Sequence, residues 1–280
     1  MLNHGLLYLD HLSDGDLRLM SDAAAVGEMS RRDLRQSPEV LDDLLTSPGL
    51  FDSLFGENRV VELGVTSFLV FTALVNQAAR DLQSTSHFPE WVGTGQRLPV
   101  FDSATLAALV EDEVRRYFLI EFLDSFTTVA SGSAWVRTDR GYRKKRWSEL
   151  DPIAMSQMVA ELPAPAKPAG YRRLGDVALF LSGVFPDHTS RHPLGDLARA
   201  RLAASAGVDN EKDEGDMRFL EVIGSGWYEK AVESADRLVA GGLEHLVDMA
   251  RHFTDARRFL NYLTDRYLHR HDTGLMHPAA

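Results

Sequence analysis

Five side chains on two expected helices are spaced as metal ligands. Glu121 and Asp124 stand three residues apart inside the apolar run Tyr117-Phe-Leu-Ile-Glu-Phe-Leu-Asp-Ser-Phe126, so they leave one helix on similar sides. Carboxylates in such surroundings demand a partner or have their pKa raised by desolvation. His245, Asp248 and His252 follow at i, i+3 and i+7 near the end of the chain and share a helical face. Two carboxylates opposite a carboxylate and two imidazoles would suit iron or manganese in a helical bundle. Against this, the chain has no Glu-x-x-His pair of the di-iron type, Val247 standing three residues after Glu244. Helix surfaces also carry Glu, Asp and His at these spacings for no metal at all. The metalloenzyme is therefore the alternative reading, and no cofactor is called for.

The clearest local anomaly is basic. Arg137, Arg140, Arg143, Lys144, Lys145 and Arg146 fall within ten residues against one acid, Asp139, with Tyr142 among them and Trp147 just after, in a chain of formal net charge −11. Aromatic and β-branched residues flank Asp139-Arg140-Gly141, where glycine can supply a positive φ, so residues 133–148 predict a β-hairpin. Basic strands with aromatic faces can rest on a phosphate backbone or on an acidic partner protein. They can equally protect an exposed strand edge or form salt bridges with the acidic remainder.

Other motifs carry less. His188 and His192 are four apart beside Asp187, but Pro186 and Pro193 frame them as a polar surface turn. Gly224-Ser225-Gly226 lacks the lysine and the preceding strand of a phosphate loop and reads as close helix packing. No Gly-x-Ser-x-Gly elbow and no His-Glu-x-x-His occurs.

The elements that must position these residues centre on Tyr171 to Phe185. Leu174, Val177, Ala178, Leu181 and Val184 recur at helical spacing, and Leu179 and Phe180 widen the stripe until little polar face is left. Such a helix has to sit among others, with Gly175 and Gly183 admitting a close neighbour and Pro186 ending it. Further helices are expected at 38–46 and 48–55, each opened by Ser-Pro, then at 62–82, 103–130, 151–162, 194–206, 215–239 and 242–270. Asn76 to Asp81 is expected to reach solvent. Residues 84–101, punctuated by Pro89, Gly93, Gly95 and Pro99, read as a loop that returns Phe88 and Trp91 to the core. The fold class is all-α, a multi-helix bundle with one small β-hairpin. Residues 1–36 are expected as a loosely packed arm, 37–271 as a single helical domain with a sub-boundary in the Pro-rich stretch 163–170, and 272–280 as a disordered tail.

At 280 residues a core for independent folding is assured, and no cysteine means no disulfide, no thiolate metal site and no cysteine nucleophile. The acidic balance opposes non-specific binding of nucleic acid or anionic membrane by the surface as a whole. The first residues lack the basic flank and apolar run of a signal peptide, and Val65 to Val75 is too short to span a membrane, which predicts a cytoplasmic protein. The runs Tyr171 to Pro186, Phe118 to Phe126, Ser131 to Trp135 and Trp147 to Pro152 resemble a group of actinobacterial proteins with no known activity, over most of residues 40–265. That resemblance implies a helical architecture and a bacterial cytoplasmic setting, and it carries no catalytic residue. The reading that emerges is a non-enzymatic interaction or regulatory protein whose partner is another protein. Nucleic acid held by the basic hairpin is the less favoured partner, and oligomeric state is open.

Overall fold

Ser47 and Asp151 show how this sequence starts its helices. Each precedes a proline at the first helical position and accepts from an otherwise orphaned amide: Ser47 Oγ from Gly49 N at 3.2 Å, Asp151 Oδ1 from Ile153 N at 3.0 Å and Ala154 N at 3.1 Å. The computed structural model describes residues 4–23, 31–56, 64–138, 141–210, 215–236 and 241–268. It is mostly helical, with two small antiparallel two-stranded sheets. By its contacts the chain divides into two compact units, one of residues 1–87, 101–127 and 265–280, the other of 88–100 and 128–264.

The first unit holds α1 (His4–Leu9), α2 (Asp14–Ala23), α3 (Arg31–Gln36), α4 (Pro38–Thr46), α5 (Pro48–Phe55), α6 (Ser67–Ser84), α7 (Ser103–Glu111) and α8 (Glu113–Ser125). Its buried helix is α6, with Phe68, Leu69, Phe71, Leu74 and Val75 each at most 1 % exposed. The N-terminal segment is no loose arm: Leu17, Met20 and Leu34 are buried. Asp16, wholly buried, holds it to the start of α6 by accepting from Ser13 N, Ser13 Oγ, Thr66 N and Thr66 Oγ1 at 2.7–2.9 Å. Four donors meet the demand of a buried carboxylate. The polar end of α6 also turns inward, because the carbonyls ending α4 need donors: Asn76 Nδ2 gives to Leu45 O at 2.9 Å and Arg80 to Thr46 O at 2.5 Å. The expected helix over 103–130 is two helices, broken at Asp112, which leaves helical φ/ψ and caps α8 by accepting from Arg115 N.

The second unit holds β1 (Phe88–Gly93) and β2 (Gln96–Val100), β3 (Ser131–Thr138) and β4 (Gly141–Ser148), then α9 (Pro152–Glu161), α10 (Lys167–Gly183), α11 (Pro186–Arg191), α12 (Asp196–Ala206), α13 (Asp216–Glu233), α14 (Glu244–Arg251) and α15 (Phe253–Leu263). Helix α10 is its centre, buried at Leu174, Val177, Ala178, Leu179 and Phe180 and packed chiefly on α13. It begins at Lys167, so residues 163–170 are a 3-10 turn and the first helical turn of α10 and not a linker. Pro at the second helical position leaves the helix ladder intact, which is why a Pro-rich stretch can open a helix. Residues 84–101 are likewise more than a loop. β1 and β2 pair from Phe88 opposite Val100 to Gly93 opposite Gln96, and Gly95 turns the chain at φ +67. Prolines 89 and 99 face each other there, in a sheet that has no third strand among the described residues. The expected helix at 242–270 breaks at His252, whose φ −103 and ψ 19 end α14 and open α15. Pro186, expected only to stop α10, also starts α11. Residues 272–280 and 211–214 of the acidic loop lie outside the described residues.

What lets α10 and α13 approach is the absence of side chains at two glycines. A Cβ on Gly175 would lie 2.4 Å from the Tyr228 ring, and one on Gly224 would lie 2.3 Å from the Phe253 ring and 3.0 Å from Ala178 Cβ. Gly175→Ala gains about 1 kcal/mol of helix propensity and drives a methyl into a fully buried ring. The net outcome is a loss of about 1–3 kcal/mol, seen as a lower urea midpoint, while Gly195→Ala, which meets nothing within 4 Å, changes little.

Candidate functional site

The basic hairpin forms where the residue pattern places it. β3 and β4 pair in register from Ser131 opposite Ser148 to Thr138 opposite Gly141, setting Trp135 against Lys144, Val136 against Arg143 and Arg137 against Tyr142. Opposed residues share a face of an antiparallel ladder, so Trp135, Arg137, Tyr142, Lys144 and Arg146 occupy positions of one face. Arg140 lies outside the described residues, as do the side chains of Arg137, Arg143, Lys144, Lys145 and Arg146. Tyr142, at the tip, is 71 % exposed.

The base of the hairpin is clamped. Glu149 N donates to Ala130 O at 2.9 Å, and the Glu149 carboxylate takes Ala130 N at 3.1 Å together with the guanidinium of Arg173 on α10. Burial pushes that carboxyl up, but Arg173 and the Ala130 amide outweigh it and hold it below its usual 4.5. Trp147 lies against Gly132, where a Cβ would come 3.0 Å from the indole nitrogen. Among the described residues no further strand pairs with either edge of this ladder.

Along α13 in the same unit runs a cleft of about 420 Å³, lined by Arg218, Glu221, Ser225, Glu229, Arg251 and Thr254 among others. Its floor is a buried ionic network. Arg257 Nε donates to Glu221 Oε1 at 2.6 Å, while Arg218 at 3.0 Å and Thr254 Oγ1 at 3.2 Å supply Glu221 Oε2. Arg257 also reaches Asn261 Oδ1 at 3.0 Å and Glu90 on β1 at 3.3 Å. Arg258 pairs with Glu90 at 3.1 Å and lies over the Phe88 ring. Asn261 Nδ2 closes the set on the carbonyls of Ser182 and Gly183, the last of α10. This network was not foreseen. The criterion that singled out Glu121, a lone carboxylate in an apolar helical run, also fits Glu221 between Leu220 and Val222.

The five metal candidates divide between the two units. Glu121 and Asp124 belong to the first unit, where Ser67 Oγ donates to Asp124, and His245, Asp248 and His252 belong to the second. His252 sits at the helix break, its Nδ1 donating to Asp248 O at 2.9 Å and lying 3.4 Å from Asp248 Oδ1, so these two of the expected ligands are brought together. Among the described residues no group of three or more His, Asp or Glu side chains is placed to hold a metal ion. His188 is on the short helix α11 and His192 stands just past its end, with the two rings stacked at 4.5 Å. Asp187 accepts from Trp91 Nε1 at 2.6 Å and Gly95 N at 3.1 Å. Burial raises its pKa, but these bonds and the nearby Arg97 and Arg191 win and hold it below the usual value. It anchors the β1–β2 turn.

Compared with family models, with curated proteins and with solved structures, the chain finds no match.

Two outcomes follow from the clamp and the network. Glu149, with its depressed folded pKa, adds stability to the hairpin base at pH values above about 4.5, and that stability is lost as pH falls through the lower folded value. Protection factors of the amides near Ala130 and Glu149, referred to the intrinsic exchange rate at each pH, therefore fall in acid, and Glu149→Gln removes that pH dependence. Arg257→Met strands Glu221 and Glu90 without a shared cation and lowers unfolding free energy by about 3–5 kcal/mol in urea titration. Glu221→Gln, which keeps an acceptor oxygen, costs less.

Proposed function

We propose that this is a non-enzymatic interaction or regulatory protein that meets an acidic patch on a partner protein through the β3–β4 hairpin. The observation that carries the reading is a ladder with which, among the described residues, no further strand pairs, fixed at its base by Glu149 and Arg173, in a segment whose residues 137–146 include six basic ones. A clamped base gives the hairpin a set direction, so its charges meet a partner at low ordering cost. Charge complementarity then favours rapid, salt-sensitive association. A compact acidic patch suits this arrangement better than nucleic acid does. A long polyanion would continue past the hairpin onto a chain whose net charge is −11 and be repelled there. In keeping with a non-membrane setting, no described helix is long and apolar enough to cross a membrane.

The test uses defined probes: a glutamate-rich peptide, an oligonucleotide duplex of equal charge and a neutral peptide, titrated against the full chain at low and physiological salt. The acidic peptide binds and the neutral one does not. Replacing Arg143, Lys144 and Lys145 together by Ala weakens the acidic peptide by about 10-fold or more while leaving the thermal midpoint unchanged. Tighter binding of the duplex, with a steep salt slope lost in the triple variant, would instead establish the nucleic-acid reading.

A further inference from the structure

Helix α11 is docked by its own side chains and carries two imidazoles that the docking does not use. Its Asp187 carboxylate is held by Trp91 Nε1 and Gly95 N of the β1–β2 hairpin, and Ser190 Oγ meets Thr94 Oγ1 at 2.7 Å. Thr189 Oγ1 donates to Leu181 O at 2.9 Å, which ties the same turn of helix to α10. A helix fixed at three residues is a rigid frame, and side chains leaving it start from set positions. The His188 and His192 side chains are exposed, with ring centroids 4.5 Å apart and ring planes 29° from parallel. His192 Nδ1 lies 3.0 Å from His188 O, and since a carbonyl only accepts, Nδ1 is the donor and Nε2 of the neutral ring carries the free lone pair. Metal-binding histidines are oriented in this way, with one ring N–H on a backbone carbonyl and the other nitrogen left for the ion.

We infer that His188 and His192 together bind one divalent transition-metal ion of the zinc, nickel or copper class, each through one ring nitrogen. Imidazole nitrogens sit about 2.0–2.1 Å from such an ion, so two of them on a tetrahedral centre are roughly 3.3 Å apart. Rings whose centroids are already 4.5 Å apart reach that separation by turning about χ2, and the exposed His188 ring has room to turn. The adjoining carboxylate, Asp187, is engaged by Trp91 and Gly95, and Arg97 lies 3.6 Å from it. Imidazoles without a free carboxylate suit the borderline ions, whereas magnesium and calcium require several oxygen ligands. Two protein ligands leave two positions of a tetrahedral ion for water or for a donor brought by another molecule.

Isothermal titration of the untagged full chain with zinc, nickel and magnesium chloride tests this, alongside His188→Gln, His192→Gln, the double variant and His87→Gln. Zinc and nickel bind and magnesium does not. Two imidazoles on one frame act as a chelate, so losing either weakens the tightest zinc site by about 10-fold or more, and the double variant is little weaker than either single one. His87→Gln, at an exposed histidine of the first unit, leaves that site unchanged. Absence of zinc and nickel binding, single variants that bind zinc as the parent does, losses that add in the double variant as for independent histidines, or magnesium bound as tightly as zinc would overturn the inference. The hairpin reading is separate, because the triple Ala variant of Arg143, Lys144 and Lys145 retains the zinc site.

Discussion

The second unit depends on the closeness of α10 and α13. Side chains of ordinary size at 175 and 224 would hold the helices apart, and everything seated against them would lose its position. The approach that glycine allows is by a ring and not by a backbone: Tyr228 lies flat over Gly175, and its hydroxyl reaches Asp176 Oδ1 at 2.8 Å. Burial first, and the Asp176 carboxylate second, push the Tyr228 phenol well above its usual pKa, so the hydroxyl keeps its proton as the donor. One residue thus fills the space beside a glycine and donates to the buried Asp176 carboxylate. The same contact sets the rotation of α13, and the rotation decides that Glu221, Ser225 and Glu229 open onto the cleft while Ile223, Trp227 and Tyr228 are buried.

Buried charge in this protein is handled by surplus partners. Asp16 has four donors from two residues, and Glu221 has two arginines and a threonine. Each carboxylate joins segments distant in sequence, so ionic geometry records tertiary contact more than local preference. A well-packed apolar replacement could be as stable, but it would not hold Arg218, Thr254 and Arg257 together. Glu149 works on the same principle at lower burial. It converts a hairpin that would be marginal alone into a fixed projection, because a two-stranded ribbon in water holds its shape only when something else fixes it.

Much of the architecture was legible in residue types. Ser-Pro pairs opened α4 and α5 at the expected residues, and the all-round apolar pattern of α10 identified the central helix. Aromatic and β-branched residues flanking Asp139-Arg140-Gly141 located β3 and β4. The errors have common causes. Single polar residues that break a helix, Asp112 and His252, look from the chain like surface positions of a longer helix, since nothing local distinguishes a capping side chain from a solvated one. The proline-rich stretch before α10 and the glycine-proline pattern of β1 and β2 both read as loop, because these residues interrupt regular structure far more often than they begin it. The cleft was missed, although the lone carboxylate Glu221 within an apolar run was a usable signal.

What the sequence alone determined is the set of elements: a mostly helical protein, one central apolar helix, and a basic hairpin in an acidic chain. These follow from periodicity, capping and composition, each of which acts over a few residues. What only the tertiary structure decided is which polar groups meet. The spacing of Glu121, Asp124, His245, Asp248 and His252 permitted a metal site on paper, yet among the described residues no three His, Asp or Glu side chains are placed to hold a metal ion. Conversely, Glu221, Arg257 and Glu90 have no sequence motif in common and form one network. Side-chain spacing fixes direction from a single helix, while partnership depends on how helices are rotated and how closely they pack, and here two glycines and the tyrosine beside one of them set both.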